Sequence, residues 1–169
     1  YHDYTETRPG IDRYLNVVRK GSTASQPAAQ NLDTGEPLAV ETGKGAALRR
    51  AGMEPGEEEI DAADSDSDSD IVIVHFPAVQ PGGSLRLRIS ETYADPQSYF
   101  LSDDELIFDR ALGRPSNAVV LPAGWYLTAT SIPATFSETA DGRIRLDFAN
   151  PRPDDVNVLI KAKRRPPRR

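Results

Sequence analysis

Hydrophobic and polar residues alternate in several short runs of the second half of the chain. The clearest runs are SLRLRIS (84–90), GRIRLDFA (142–149) and VNVLIKAK (156–163), in which every second residue is apolar and most of the others are charged. A period of two predicts β-strands with one buried and one wet face. The run IVIV (71–74) is apolar throughout, which predicts a strand that is buried on both faces.

Turn signals separate these runs at short intervals. Asp141-Gly142 lies between TFSET and RIRLDF and favours a hairpin, and Asp33-Thr34-Gly35 divides another strand pair. Pro122–Gly124 separates AVVL from WYLTATSI in the same way. Many short strands with turns at this spacing predict an all-β protein, a two-sheet antiparallel sandwich that is immunoglobulin-like in general shape.

The predicted organisation is one sandwich with two attachments. Residues 1–52 supply its N-terminal strands, 53–70 form an acidic linker or insertion, 71–163 supply the C-terminal strands, and 164–169 are a basic tail. The expected core consists of large apolar residues at the inward positions: Leu15, Val17, Ile71, Ile73, Leu85, Leu87, Ile89, Ile107, Val119, Leu121, Leu127, Ile144, Leu146, Phe148, Val158 and Ile160.

Charge is segregated along the chain. Nine acids and no base lie between Met53 and Asp70, and subtracting them from the net charge of −6 leaves +3. Six bases and no acid follow from Lys161 to the end. The body is therefore near neutral, with an acidic insertion and a basic tail of opposite sign.

The acidic run has alternating carboxylates that suit calcium. The four candidate ligands are Asp64, Asp66, Asp68 and Asp70. A calcium loop of the EF-hand type beginning at Asp64 would need glycine where Ser69 stands and glutamate where His75 stands. A solvated insertion, or one that docks on the basic tail or on a basic partner, explains the run as well.

The basic tail and the absence of motifs limit the function classes. The tail has no interleaved aromatic residues for base stacking, so we expect no nucleic acid partner. No apolar run reaches the ~20 residues that span a bilayer. There is no cysteine and no motif of a nucleophilic or zinc enzyme, so we assign no catalytic residue. Acids between Glu91 and Asp109 leave a carboxylate-dependent hydrolase as one alternative.

Aromatic residues near turns include the candidate ligand-binding residues. The aromatic residues near turns are Tyr93, Tyr99, Phe100, Trp125 and Tyr126. The ligand-binding candidates among them are Tyr93, Tyr99, Trp125 and Tyr126, whose rings could stack on sugars or anchor a protein interface. A sandwich core built around Trp125 is the competing interpretation. In either case PAGWYL places Trp125 and Tyr126 on opposite faces of a strand.

A resemblance covers most of the chain outside the acidic run and the tail. The segments NLDTGEPLAVE, SLRLRISETYADPQSYF, RALGRPSNAVVLPAGWYLTATSIPA and DGRIRLDFANPRPDDVNVLIKAKRR resemble β-sandwich modules of exported bacterial proteins of unknown function. These modules are distantly similar to the non-catalytic β-domains beside M1-type metallopeptidases. The metallopeptidase signature H-E-x-x-H is absent, so the resemblance implies a sandwich and an exported, periplasmic or extracellular location, but no catalytic residue. The start at Tyr1 agrees with a removed leader or with a trimmed sequence.

The leading functional hypothesis is a non-enzymatic exported module for protein–protein interaction or extracellular assembly, including self-association. Open sheet edges would pair with another chain, and the two charged arms would steer it, so we expect assembly to weaken as salt rises. The alternative is a carbohydrate-binding module, assisted by calcium on the aspartates. No other cofactor is expected.

Overall fold

The computed structural model describes residues 1–18, 21–45 and 70–166. These residues form 13 β-strands: β1 (His2–Glu6), β2 (Arg13–Val17), β3 (Thr23–Asn31), β4 (Pro37–Lys44), β5 (Asp70–His75), β6 (Leu85–Ala94), β7 (Tyr99–Ser102), β8 (Glu105–Leu112), β9 (Ser116–Val120), β10 (Trp125–Thr130), β11 (Thr135–Glu138), β12 (Ile144–Ala149) and β13 (Val156–Arg164). Every strand pair is antiparallel. The predicted all-β class is confirmed.

The strands fall into two compact units, residues 1–94 and 95–169. The first contains one six-stranded sheet and the second contains a four-stranded and a three-stranded sheet. The boundaries that the sequence suggests at residues 52, 70 and 163 were drawn from charge and composition, and they stay a prediction.

The first unit is a curled sheet with the strand order β1-β6-β3-β4-β5-β2. Although β1 and β2 lie at opposite edges of this order, the Tyr4 and Tyr14 ring centroids are 4.7 Å apart. The curl therefore brings the two edge strands together. Side chains from all six strands fill the concave side, and the buried members of this core are Tyr14, Ala29, Val74, Phe76, Val79, Leu87 and Ile89.

Strand β5 is buried on both faces, as the run IVIV predicts. Residues 71–74 are at most 3% exposed. Val74 packs into the concave core, whereas Ile71 and Ile73 form a second cluster with Leu15 on the other face. Alternation of side chains along a strand requires this division once both faces are covered.

The acidic insertion connects two neighbouring strands of the same sheet. Lys44 at the end of β4 and Asp70, the last residue of the insertion and the first of β5, are register partners. Their side chains also form an ion pair, with 2.6 Å between Lys44 Nζ and Asp70 Oδ1. Strands β4 and β5 are therefore direct neighbours in the sheet.

The second unit is a two-sheet sandwich. Its sheets have the orders β10-β13-β8-β7 and β11-β12-β9. Their facing side chains form one core, whose buried members are Leu106, Leu121, Trp125, Leu146, Phe148, Val158, Ile160 and Ala162. The expected hairpin at Asp141-Gly142 joins β11 to β12, where Glu138 pairs with Ile144 and Gly142 has a φ of 78°.

A buried carboxylate holds the end of β1. Glu6 is 1% exposed, and it accepts hydrogen bonds from the backbone N–H of Thr7 and Arg8, from the Arg8 guanidinium and from the Tyr4 hydroxyl. The Arg8 side chain has the largest effect on this group and, against the opposing effect of burial, lowers the pKa of Glu6 to about 2. Every bond of this cluster favours the charged carboxylate.

We expect Glu6→Gln to destabilise the first unit by about 2–3 kcal/mol, because the amide cannot accept the same set of bonds and leaves Arg8 without its ion pair. Chemical denaturation followed by circular dichroism measures the change. The matched control is Asp3→Asn, which removes the half-exposed ion pair with Arg88 and should cost less than about 1 kcal/mol.

The same carboxylate predicts a pH dependence. Its folded pKa of about 2 lies below the ordinary value of 4.5, so its contribution is fully present above pH 4.5 and is lost as the pH falls towards 2. Between these limits the wild-type protein should lose more stability than Glu6→Gln does. Parallel pH profiles of the two proteins would contradict the assignment.

Candidate protein-binding edge

Trp125 and Tyr126 lie on opposite faces of β10, as predicted. Trp125 is 9% exposed and belongs to the sandwich core, and the Arg164 guanidinium lies 5.2 Å from its ring centroid. Tyr126 is exposed on the outer face. This is the arrangement of a core built around Trp125, and it leaves little of the Trp125 ring for a sugar to stack on.

The other two candidate aromatics lie in different settings. Tyr99 is exposed at the start of β7. Tyr93 is half-buried on β6 in the first unit, where its hydroxyl oxygen accepts a 2.8 Å hydrogen bond from the Asn16 amide. The same amide lies 2.9 Å from both carboxylate oxygens of Glu91. Ligand binding at these four aromatics stays a prediction.

The predicted metal ligands are only partly described. Asp64, Asp66 and Asp68 lie outside the described residues, and Asp70 is engaged by Lys44. Within residues 1–18, 21–45 and 70–166, no three His, Cys, Asp or Glu side chains gather as metal ligands would. Calcium binding therefore stays a prediction that rests on the sequence alone.

The acids considered for a hydrolase are divided between the two units. Glu91 belongs to the first unit and binds Asn16. In the second unit Glu105 accepts a hydrogen bond from Thr128 and lies 3.6 Å from Lys161, while Asp109 is exposed. None of these contacts sets one carboxylate against another, and the hydrolase stays an untested alternative.

The local sequence fixes β7 at both of its ends. Before the strand, the Asp95 carbonyl accepts hydrogen bonds from the N–H groups of Ser98 and Tyr99. After it, Asp103 and Asp104 have φ angles of 47° and 64°. Two central residues with positive φ form the type I′ turn that suits a two-residue hairpin, and aspartate tolerates this region better than most residues. Ser102 and Glu105 therefore close a tight hairpin between β7 and β8.

Strand β7 exposes three large apolar side chains in succession. Tyr99, Phe100 and Leu101 are 46%, 40% and 60% exposed. Tyr99 and Leu101 pair with Phe108 and Leu106 and so lie on the side of the sheet that carries the core. Phe100 lies on the other side, opposite Ile107. The strand therefore offers apolar surface on both faces of the sheet.

The backbone of β7 is open along one side. It is the last strand of the order β10-β13-β8-β7. In an antiparallel pair, alternate residues direct their N–H and C=O groups away from the partner strand. Because Ser102 and Glu105 close the hairpin and Ser98 C=O bonds the N–H of Asp109, the outward residues are Tyr99 and Leu101.

Two other edge strands of the second unit, β10 and β11, differ from β7. Strand β10 has a register shift between Leu127 and Ala129, and such irregularities twist an edge away from a partner. Strand β11 exposes Phe136 alone, between Thr135 and Ser137. Strand β7 instead combines consecutive apolar residues with an open backbone. We name Tyr99, Phe100 and Leu101 with the outward side of β7 the "β7 edge".

The sequence analysis predicted ligand binding for Tyr99, noted Phe100 only as an aromatic residue near a turn, and did not include Leu101. The signal was the apolar triplet between two turn sequences, Asp95-Pro96 and Asp103-Asp104. Comparisons with protein-family models, with curated proteins and with solved structures gave no match for this chain. Among the described residues, no helix has the length and apolar character needed to cross a membrane.

We expect Trp125→Ala to destabilise the second unit by about 3–5 kcal/mol, because it leaves a cavity among closely packed core residues. Tyr126→Ala, on the outer face of the same strand, should cost less than about 1 kcal/mol. Trp125 is the only tryptophan, so denaturation must be followed by circular dichroism. Equal losses in the two variants would show that Trp125 is not a core residue.

Proposed function

We propose that this chain is a non-enzymatic protein-binding module that adds a strand of another polypeptide to its four-stranded sheet at the β7 edge. One observation carries the proposal: three consecutive large apolar residues are exposed on a strand whose backbone is open. Strand addition uses the two features together, because main-chain bonds supply affinity and alternate side-chain contacts supply specificity.

The backbone contribution comes from Tyr99 and Leu101. The N–H of Tyr99 already bonds the Asp95 carbonyl at 2.9 Å, so it is not free for a partner. The C=O of Tyr99 and both backbone groups of Leu101 remain directed outwards. An added antiparallel strand can therefore bond at these three groups without disturbing the hairpin.

The side chains contribute contact area on both faces of the extended sheet. A bound strand would cover Leu101 and Tyr99 on the core-bearing face and Phe100 on the other. A strand as short as β7, with 4 residues, covers less than the ~1,600 Å2 of a standard interface. We therefore expect a dissociation constant in the micromolar range or weaker, unless further contacts add to the strand.

Exposed apolar edge strands promote aggregation unless other features of the protein prevent pairing with further chains. In β7 the flanking acids Asp95, Asp103 and Asp104 keep the apolar triplet short. Natural proteins often place charged residues beside an apolar strand that they need, because the charges reduce aggregation through that strand. The exposure of the triplet between such acids supports a binding role over a purely structural one. The exported location inferred from the resemblance is part of this proposal.

The test compares peptide binding by the wild type and by the variant Leu101→Lys. The peptides come from a displayed random library that is selected on the wild-type protein, and we expect extended sequences with alternating apolar residues. We expect Leu101→Lys to weaken their binding at least tenfold, because lysine places a strongly hydrated charge in the contact. Since Leu101 is 60% exposed, the free energy of unfolding should change by less than about 0.5 kcal/mol.

The matched control is Phe136→Lys, which places the same charge on an exposed aromatic position of edge strand β11. It should leave peptide binding unchanged. If the selected peptides bind Leu101→Lys as well as the wild type, the β7 edge is not the binding site and the proposal is wrong.

The salt dependence of binding distinguishes the β7 edge from the acidic insertion and the basic tail. Contacts of Tyr99, Phe100 and Leu101 are apolar, so binding that depends on them alone should persist between low and high salt. Binding steered by the acidic insertion and the basic tail should weaken as salt rises. Titration of the same selected peptides at both salt concentrations measures the two contributions.

A further inference from the structure

We infer that the polypeptide that pairs with the β7 edge is a second copy of this chain, bound antiparallel about a two-fold axis at Phe100. The inference rests on the proposed function, since it requires strand addition at β7. It adds the identity of the partner and the register of the pairing.

The outward backbone groups restrict the possible registers. Tyr99 and Leu101 are the residues of β7 that can bond an added strand, so a second β7 must place its own Tyr99 or Leu101 opposite them. Three symmetric antiparallel registers satisfy this condition. The one centred on Tyr99 is excluded, because its central pair would bond only through the Tyr99 N–H, which already bonds the Asp95 carbonyl. Two registers remain. One is centred on Phe100 and places Tyr99 opposite the Leu101 of the other copy. The other is centred on Leu101.

The register centred on Phe100 gives an apolar neighbour to every exposed apolar side chain. Phe100 lies opposite Phe100 of the other copy, and each Tyr99 lies opposite a Leu101. Aromatic–aromatic and aromatic–aliphatic pairs are favourable cross-strand neighbours, each contributing roughly 0.2–1 kcal/mol. The register centred on Leu101 would instead set Phe100 against Ser102 and Tyr99 against Asp103.

Charge is compatible with this register. With Phe100 at the centre, Asp103 lies opposite Gln97 and Asp104 lies opposite Pro96 of the other copy. Within β7 itself no acid lies opposite an acid, although acids flank the strand. Like charges placed directly opposite each other across strands are destabilising.

The hydrogen bonds agree with the available groups. Each Leu101 N–H donates to the Tyr99 carbonyl of the other copy, which gives two symmetric bonds. The Tyr99 N–H faces the Leu101 carbonyl of the other copy but keeps its bond to the Asp95 carbonyl, so the Leu101 carbonyl gains no hydrogen bond in this register. The product is a continuous eight-stranded sheet with the order β10-β13-β8-β7-β7-β8-β13-β10.

Cysteine cross-linking tests the register, because the natural chain has no cysteine. In the register centred on Phe100 the two Phe100 Cα atoms face each other as a non-hydrogen-bonded pair, about 4.5 Å apart. This separation lies within the ~4.4–6.8 Å range of disulfides. We expect Phe100→Cys under mild oxidation to form a disulfide-linked dimer at least tenfold faster than Leu101→Cys or the edge-strand control Phe136→Cys.

Sedimentation of the wild-type chain over rising concentration is the second measurement, because Phe100→Cys itself removes the central aromatic pair. We expect a reversible monomer–dimer equilibrium that Leu101→Lys shifts to monomer and Phe136→Lys leaves unchanged. A wild-type chain that stays monomeric at millimolar concentration overturns the inference.

The outcomes distinguish the inference from the proposed function. Fastest cross-linking of Leu101→Cys would replace the register by the one centred on Leu101. Equal rates in all three cysteine variants, with selected peptides still binding in a Leu101-dependent way, would exclude the second copy and retain the binding edge. Equal rates without Leu101-dependent peptide binding would exclude both.

Discussion

The packing between the two sheets of the second unit is the constraint on which its other features depend. Val158 and Ile160 of β13 and Leu146 of β12 are at most 1% exposed, so a shift of one residue in either strand would turn apolar side chains towards water. Strand β13 pairs with β8 over the whole of β8, from Val156–Leu112 to Lys163–Glu105. The core therefore fixes β8, and β8 in turn fixes the position of β7. The exposed triplet of β7 is held by a strand that the core fixes in place, although the triplet contributes little to the core itself.

Much of the fold follows from local sequence patterns. The alternating runs at 84–90, 142–149 and 156–163 correspond to β6, β12 and β13, and the buried run 71–74 lies within β5. The turns at Gly35 and Gly142 were recognisable because glycine readily adopts the positive φ found there, 76° and 78°. The opposite placement of Trp125 and Tyr126 follows from strand alternation alone.

Other structural features could not be predicted from local sequence, because they depend on residues distant in sequence or on backbone conformations that the residue types do not indicate. Tyr99-Phe100-Leu101 has no alternation, so it does not reveal a strand that is exposed on both faces. Its exposure follows from the position of β7 at the end of a sheet order, which local patterns do not encode. The Asp103-Asp104 turn lacks the glycine that usually marks a two-residue hairpin. Glu6 would be assigned to the surface by its type, and it is buried because Arg8 and Tyr4 reach its carboxylate.

The symmetry of an edge-to-edge contact explains how an apolar edge can coexist with a folded, separate molecule. Open edges are hazardous when each added chain exposes another edge, since growth then continues without limit. An isologous two-fold contact uses the same strand from both copies and leaves neither β7 free. The sheet then ends on both sides at β10, where the register shift between Leu127 and Ala129 hinders further pairing. The acids around β7 act in the same direction, since they oppose registers that would set Asp103 against an apolar side chain. Selection on this edge would therefore favour a closed dimer over open-ended assembly.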